Sequence, residues 1–209
     1  MALGRNTILQ VVEVESLDKP GHHYLLANTH FFFHPKADFI RLLQAICCAK
    51  YLEKLKYSIK NENKNIKEIS ILMGGDFNSD PPSHAFTYMF TQSIPFENLN
   101  SGIIYNLFYD IHPKIEKFLL YFWKDEKLVF KDCDEEYMHS ISLSAFADFP
   151  FTNCTRGFTS VLDYVFYETN GFELKKTISF NRHKYSENFM PSKFIPSDHV
   201  AILFELLMK

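Results

Sequence analysis

Apolar and polar residues alternate in two stretches near the start of the chain, at 6–15 and 24–33. A period of two is typical of β-strands that bury only one face. The segment Asp18-Lys19-Pro20-Gly21 between them consists of residues that favour turns. We therefore predict a hairpin at the start of the fold.

Helical spacing replaces this alternation further along the chain. Apolar residues recur every three or four positions at Phe39, Leu42, Leu43, Ile46, Leu52 and Leu55. This spacing predicts a helix from Asp38 to about Ile59, and the apolar run Ile69–Met73 predicts a buried strand after it. Because Pro suits the first turn of a helix, Pro81-Pro82-Ser83 predicts a short helix over His84–Thr91.

Patterns in the rest of the chain are weaker. Between 93 and 150 no period is clear, and 98–106 is predicted as a loop. Further strands are predicted over 159–167, 173–180 and 200–207. Strands that alternate with helices, together with an antiparallel hairpin, indicate a mixed α/β architecture.

Composition indicates one folded domain without an overall positive field. Of the 209 residues, 46% are hydrophobic and 16% aromatic, which is enough for a sizeable core. With 22 Lys+Arg against 25 Asp+Glu, a nucleic-acid substrate would need a local basic patch or a bound cation. No apolar run is long enough to span a bilayer. The four cysteines lack zinc-ligand spacing, so we expect reduced thiols in an intracellular protein.

The segment Gly75-Asp76-Phe77-Asn78-Ser79 directly follows the predicted buried strand. On an extended segment, Asp76 and Asn78 would point the same way because they are two residues apart. A carboxylate and an amide oxygen are hard donors that suit a divalent cation. Standing alone, the segment is more simply explained as an Asx-rich turn that satisfies its own backbone.

Three other polar segments also abut predicted strands: Asn28-Thr29-His30, Leu162-Asp163-Tyr164 and Ser197-Asp198-His199. Since sites on α/β scaffolds lie at strand ends, we expect all four segments to converge. Phosphodiester hydrolysis needs a cation ligand, a general base and a donor to the phosphoryl oxygens. Asp76 can supply the carboxylate, and His199 can donate if Asp163 fixes its tautomer. Taken separately, each of these residues has a purely structural explanation. His30 could be a hydrogen-bonded histidine at a strand end, and Asp163 could pair with a lysine.

In this order, the four segments resemble signature blocks of the endonuclease/exonuclease/phosphatase superfamily. The similarity is greater to its deadenylase-like branch, in which the histidine strand end runs through His34-Pro35 into a helix with Arg41-Leu42-Leu43-Gln44. Within the branch, the chain is most similar to the 2′,5′-phosphodiesterases. The resemblance covers nearly the whole chain and is weakest over 98–145.

The resemblance implies a fold and an activity. The α/β fold would be the C-terminal half of a four-layer α/β/β/α, deoxyribonuclease I-like sandwich, with a mixed, mostly antiparallel sheet, flanking helices and residues 1–209 as a single partial domain. The activity would be that of a Mg²⁺-dependent (or Mn²⁺-dependent) 3′-to-5′ exoribonuclease that hydrolyses 2′,5′-oligoadenylate and poly(A) to 5′-AMP. Its partner would be RNA or oligoadenylate, with no membrane and no obligate protein partner. Its location would be the mitochondrial matrix, with the cytoplasm as an alternative.

The resemblance also implies roles for individual residues. Asp76 would be the catalytic acid/base and a metal ligand, with Asn78 as its partner in binding the metal or the attacking water. His199 would contact the scissile phosphate and pair with Asp163, and His30 would be a second phosphate-facing histidine.

Three other residues would bind substrate by the same resemblance. Pro35 and Phe158 match positions that sandwich a base, and Asp198 belongs to the block that contains His199. An aromatic face is a suitable platform for a base. Core packing explains Phe158 equally well in a chain with 22 Phe.

The superfamily's Gln-Glu block, whose glutamate is a principal metal ligand, has no counterpart here, since the sequence contains no Gln-Glu dipeptide. We therefore expect the natural reading frame to begin before Met1, or the gene product to be truncated. These residues alone should show little or no hydrolase activity and should expose an apolar sheet face. Two alternatives stay open: a poly(A)-specific deadenylase or nocturnin-like phosphatase, and a catalytically inactive RNA- or protein-binding relic.

Overall fold

The computed structural model describes residues 7–81, 83–94, 137–139, 141–145, 149–178, 189–193 and 195–209. Contacts divide the chain into one unit of residues 1–92 with 139–209 and a second unit of residues 93–138. In the second unit, strands β4 and β5 form a short antiparallel pair, Ser93–Ile94 with Tyr137–Met138. The loop predicted over 98–106 lies outside the described residues.

Where the structure describes the first unit, it contains two helices, α1 at Asp38–Glu62 and α2 at His84–Thr91. Ser83 caps α2 by accepting a hydrogen bond from the Phe86 amide at 3.3 Å. Neither helix among the described residues is both long and apolar enough to cross a bilayer. The strands of this unit are β1 Leu9–Glu15, β2 His22–His30, β3 Glu68–Asp76, β6 Leu143–Ala145, β7 Asn153–Thr155, β8 Phe158–Ser160, β9 Asp163–Glu168, β10 Phe172–Ile178 and β11 Leu203–Met208.

Five strands form a central mixed sheet in the order β1-β2-β3-β9-β6. The β1–β2, β3–β9 and β6–β9 pairs are antiparallel, and β2 and β3 are parallel because α1 crosses between them. The predicted mixed α/β class, with a mostly antiparallel sheet and flanking helices, is therefore confirmed. The described residues of this unit also form two further antiparallel pairs, β7–β8 and β10–β11.

One face of the central sheet forms the main core. Leu25, Ile71, Met73 and Phe166 lie on this face and are fully buried. Helix α1 packs on the same side, since its Lys56 bonds the Glu168 carboxylate and its Leu52 is fully buried. This face therefore fixes the positions of the three central strands.

The opposite face is only partly covered. Tyr24, Tyr167 and Phe172 form a cluster there, against which Leu72, Leu174 and Leu206 pack. The hairpin β10–β11 thus covers one end of this face. Elsewhere on it, Val12 remains 57% exposed and Leu26 38% exposed.

Of the differences between predicted and observed bounds, two have identifiable reasons. Strand β3 continues to Asp76 rather than ending at Met73, because Asp76 pairs with His30 on one side and Asp163 on the other. The prediction of a single strand over 159–167 is wrong. This segment contains two strands, β8 and β9, because the amides of Leu162 and Asp163 donate to the Thr152 hydroxyl rather than to a neighbouring strand.

A buried carboxylate joins α1 to the sheet and provides a test of the fold. Glu168 accepts two bonds from Lys56 Nζ, at 2.7 and 2.9 Å, and one from the Ile71 amide at 2.8 Å. Glu168→Gln keeps the shape but removes the charge that faces Lys56. We expect it to lower the free energy of unfolding by about 1–2 kcal/mol in urea denaturation. The exposed Glu173→Gln, paired with Lys175, is the control and should cause no measurable change.

Candidate active site

Strand register brings three of the predicted site residues into one row. His30 ends β2 and pairs with Asp76 at the end of β3, which pairs with Asp163 at the start of β9. Because paired residues share a face of a sheet, the three side chains project from the same side. That side is the partly covered face, so the row lies at its edge.

The local chain around Asp76 depends on two unusual backbone conformations. Gly75 has φ +149°, and a Cβ atom at this position would overlap the carbonyl oxygen of Thr29. Asn78 has φ +47°, in the left-handed region that Asn tolerates. Its amide donates to Asp76 Oδ1 at 2.8 Å, and its side-chain Nδ2 donates to the Phe31 carbonyl at 2.9 Å. These bonds hold the Asp76 carboxylate at the strand end.

His199 completes the cluster from a different part of the chain. Its Nδ1 lies 2.7 Å from Asp163 Oδ2, and its Nε2 lies 3.6 Å from Asp76 Oδ2. His30 Nε2 lies 3.4 Å from the same oxygen. The four residues expected to converge therefore do so, with Asp76 between two imidazoles and Asp163 behind one of them.

A short antiparallel contact holds the segment that carries His199. His199 forms an isolated bridge with Asn153, and the Val200 amide donates to the Thr152 carbonyl at 2.8 Å. The side chain of Asn153 also donates to Asp198 Oδ2 at 3.3 Å. Asp198 therefore faces Asn153, and its nearby charge contributes to raising the pKa of His199.

The pKa values of Asp76 and His199 are both raised, for different physical reasons. Burial raises the pKa of Asp76, the bond from the Asn78 amide opposes this, and the charge of Asp163 adds to the rise. Burial alone would lower the pKa of His199, but the hydrogen bond with Asp163 and the charges of Asp163, Asp76 and Asp198 together outweigh this, and the net shift is upward. The cluster therefore favours a protonated imidazole beside a carboxylate that readily takes up a proton.

The same cluster has donors that fit a divalent cation. One ligand atom from each of Asp76, Asp163 and His199 lies within 4.8 Å of the other two. Carboxylate oxygens suit cations such as Mg²⁺ and Mn²⁺. A cavity of about 390 Å³ opens beside these residues, and its lining includes Asn28, His30, Val200 and Ile202.

The predicted substrate residues lie on exposed parts of the chain. Pro35 is in an exposed turn between β2 and α1, and Phe158 in β8 is 52% exposed. Core packing therefore does not explain Phe158. Neither residue has a hydrogen bond or ring contact to the Asp76 cluster in the part of the chain that the structure describes.

Sequence reasoning did not assign a role to the residues that brace the 31–37 loop and the Asp163 turn. Arg41 donates to the carbonyls of Phe32 and His34 at 3.3 and 2.7 Å, and Gln44 accepts from the Phe32 amide at 3.0 Å. The Arg-x-x-Gln spacing on α1 was a usable signal, because the two side chains lie about one turn apart. Thr152 carried no comparable signal.

Comparison with known proteins reveals distant relatives but no matching family model. The chain is 26% identical over 213 residues to human 2′,5′-phosphodiesterase 12, and the alignment covers 99% of the chain. It is 24% identical over 210 residues to the CCR4-Not complex 3′-5′-exoribonuclease subunit Ccr4 of Kluyveromyces lactis, covering 97% of the chain. The chain is thus a distant homologue of both, in accordance with the deadenylase-like resemblance.

The chain spans only part of these relatives, 30% of the human phosphodiesterase and 24% of the Kluyveromyces lactis subunit. Among solved structures, it superposes on ANGEL2, described as a 2′,3′-cyclic phosphatase, with a TM-score of 0.66 and 23% identity. That match covers 98% of this chain and 62% of the ANGEL2 chain. It shows that the two proteins share a fold over this region.

Proposed function

We propose that the chain supplies the Asp–His part of a metal-dependent phosphodiesterase site that removes nucleotides from the 3′ end of oligoadenylates as 5′-AMP. The observation that carries the proposal is the placement of Asp76 Oδ2 at 3.4 Å from His30 and 3.6 Å from His199. The 2.7 Å pair of His199 with Asp163 adds a fixed proton donor. Distant homology to a phosphodiesterase and an exoribonuclease supports the reaction class.

Each residue of the cluster has a distinct task in this proposal. Asp76 takes the proton of the attacking water, and its raised pKa suits a proton acceptor. His199, protonated and oriented by Asp163, donates to an oxygen of the scissile phosphate. His30 is a second donor on the other side of Asp76. A bound Mg²⁺ or Mn²⁺, held by Asp76 and Asp163 with Asn78 nearby, would neutralise phosphate charge.

The substrate and the cellular location are the finer parts of the proposal. Exposed Phe158 and Pro35 provide surfaces on which an adenine base can stack. Resemblance to the 2′,5′-phosphodiesterases favours 2′,5′-linked oligoadenylate and a mitochondrial matrix location. Homology to an exoribonuclease subunit favours 3′,5′-linked poly(A), so a deadenylase is the second candidate.

We also propose that the described sheet is one half of an α/β/β/α sandwich. Val12 and Leu26 expose apolar surface on the face opposite α1, as a sheet that packs on a second sheet would do. The matched ANGEL2 chain extends beyond the shared region, since only 62% of it is covered. In this proposal, the carboxylates present hold the cation weakly, and turnover by these 209 residues is slow.

Incubation with Mn²⁺ or Mg²⁺ and either 2′,5′- or 3′,5′-triadenylate tests the function through chromatography of released 5′-AMP. We expect slow, cation-dependent release that is faster with the 2′,5′ linkage. His199→Asn should lower this rate by about 10²-fold, because one donor to the phosphate is lost. His22→Asn, at the other end of β2 from His30, is the matched control and should retain the full rate.

Three outcomes decide between the candidates. Faster release from the 3′,5′ substrate would favour the deadenylase. Equal rates of cation-dependent release for wild type and His199→Asn would overturn the proposed phosphodiesterase and favour a binding relic. Rapid release would support the reaction but contradict the expected weakness of the metal site.

A further inference from the structure

Thr152 connects the two segments that carry the Asp163–His199 pair. Its amide donates to the Ser160 carbonyl at 2.9 Å, which holds the chain just before Asp163. Its carbonyl accepts from the Val200 amide at 2.8 Å, directly after His199. The backbone of this one residue therefore bonds both segments.

The side-chain hydroxyl of Thr152 accepts hydrogen bonds from two successive backbone amides. Its Oγ1 accepts from the Leu162 amide at 2.8 Å and from the Asp163 amide at 3.0 Å. These two donors are the last amide before β9 and the amide of Asp163 itself. The hydroxyl therefore fixes the backbone from which the Asp163 carboxylate projects.

Thr152 lies in the protein interior, where a lost hydrogen bond cannot be replaced by a bond to water. The residue is fully buried, with 0% exposure, so water cannot replace its hydroxyl as an acceptor. On one side, Phe151, Cys154 and Met190 form a buried cluster with Val200 packed against it. Because the Asp163 carboxylate projects from the backbone that these bonds hold, a shift of the Leu162 and Asp163 amides would move that carboxylate.

We propose that Thr152 is a positioning residue for the candidate active site, whose hydroxyl sets the Asp163 carboxylate at the distance that holds His199 in one tautomer. In that tautomer Nδ1 carries the proton shared with Asp163, and Nε2 faces Asp76. The proposal rests on the proposed function for its chemical meaning. Its structural content, the coupling of one hydroxyl to one imidazole tautomer, can be measured without activity.

Thr152→Val and Thr152→Ser form a matched pair for the test. Valine keeps the shape and both backbone bonds of Thr152 but removes the acceptor, whereas serine keeps the acceptor. The ring nitrogens of His199 are measured by ¹⁵N NMR in the metal-free chain, at alkaline pH where the imidazole is neutral. We expect wild type and Thr152→Ser to show a single tautomer protonated at Nδ1, and Thr152→Val to show a mixture of both tautomers.

Mn²⁺ affinity by calorimetry gives a second readout. Since a residue that orients a metal ligand typically contributes a factor of about 10–100, Thr152→Val should bind Mn²⁺ roughly 10-fold more weakly than wild type. Thr152→Ser should restore the wild-type affinity.

The proposal is overturned if Thr152→Val keeps the single Nδ1 tautomer, or if Thr152→Ser loses it to the same extent. Should the valine variant not fold, hydrogen exchange in the wild-type chain decides, because the amides of Leu162 and Asp163 must then be strongly protected. Rapid exchange of those amides would equally overturn the role of Thr152. If the wild type does not hydrolyse triadenylate but the tautomers of wild type and Thr152→Val differ as expected, the result would contradict the proposed function and leave the role of Thr152 supported.

Discussion

Asp76→Asn is expected to lower the cation-dependent release of 5′-AMP by about 10³-fold, because it removes a proton acceptor, which contributes between about 10² and 10⁴. It also removes the carboxylate that the other donors of the cluster surround. Asn has nearly the same shape, and its amide oxygen can still accept the bond from the Asn78 amide. The loss should therefore arise from chemistry rather than from a change of fold.

Stability provides the check on that interpretation. Burial makes the charge of Asp76 costly, as its raised pKa indicates, so neutral Asn should leave the free energy of unfolding unchanged or raise it. Asp18→Asn, in the turn between β1 and β2, is the matched control and should affect neither rate nor stability. An Asp76→Asn variant that hydrolyses triadenylate at the wild-type rate would exclude Asp76 as the base.

Gly75→Ala is expected to have the largest effect on folding. The added methyl group would overlap the Thr29 carbonyl, and φ +149° is a conformation that residues with a side chain rarely adopt. Backbone strain and overpacking each cost about 1–3 kcal/mol, so we expect the free energy of unfolding to fall by about 3 kcal/mol or more. Urea denaturation followed by circular dichroism measures the change.

Gly157→Ala is the matched control for this prediction. A Cβ atom there would meet nothing within 4 Å, and the backbone has no positive φ. We expect its stability to stay at the wild-type value or to rise slightly, because Ala restricts the unfolded chain. Equal stabilities of the two variants would contradict the steric argument for Gly75.

The sequence was sufficient to predict the parts of the fold with strong periodicity. Helix α2 has the predicted bounds, and helix α1 and the strands β1 to β3 follow from apolar spacing and turn residues with ends displaced by a few positions. The convergence of His30, Asp76, Asp163 and His199 followed from their places beside apolar runs. Their register, which puts three of them in one row, depends on strand pairing that no local pattern encodes.

Other features could not be predicted because distant segments create them. The interruption between β8 and β9 exists because two amides bond a hydroxyl ten and eleven positions earlier in the chain. The brace on the 31–37 loop depends on how Arg41 of α1 reaches the carbonyl of His34. A buried Thr and a helix Arg are common residues, and their partners become known only from the fold.

The sequence separation of these contacts also affects the order in which parts of the chain fold. The helix and the first hairpin use neighbours in sequence, whereas the Asp163–His199 bond joins residues 36 positions apart and Lys56–Glu168 joins residues 112 apart. Contacts of long sequence separation form slowly, because the entropy of closing the loop is lost first. We therefore expect the cluster of Asp76, Asp163 and His199 to form last during folding, after β2, α1 and β3 have packed together. Secondary structure should then appear during refolding before the chain can bind a cation.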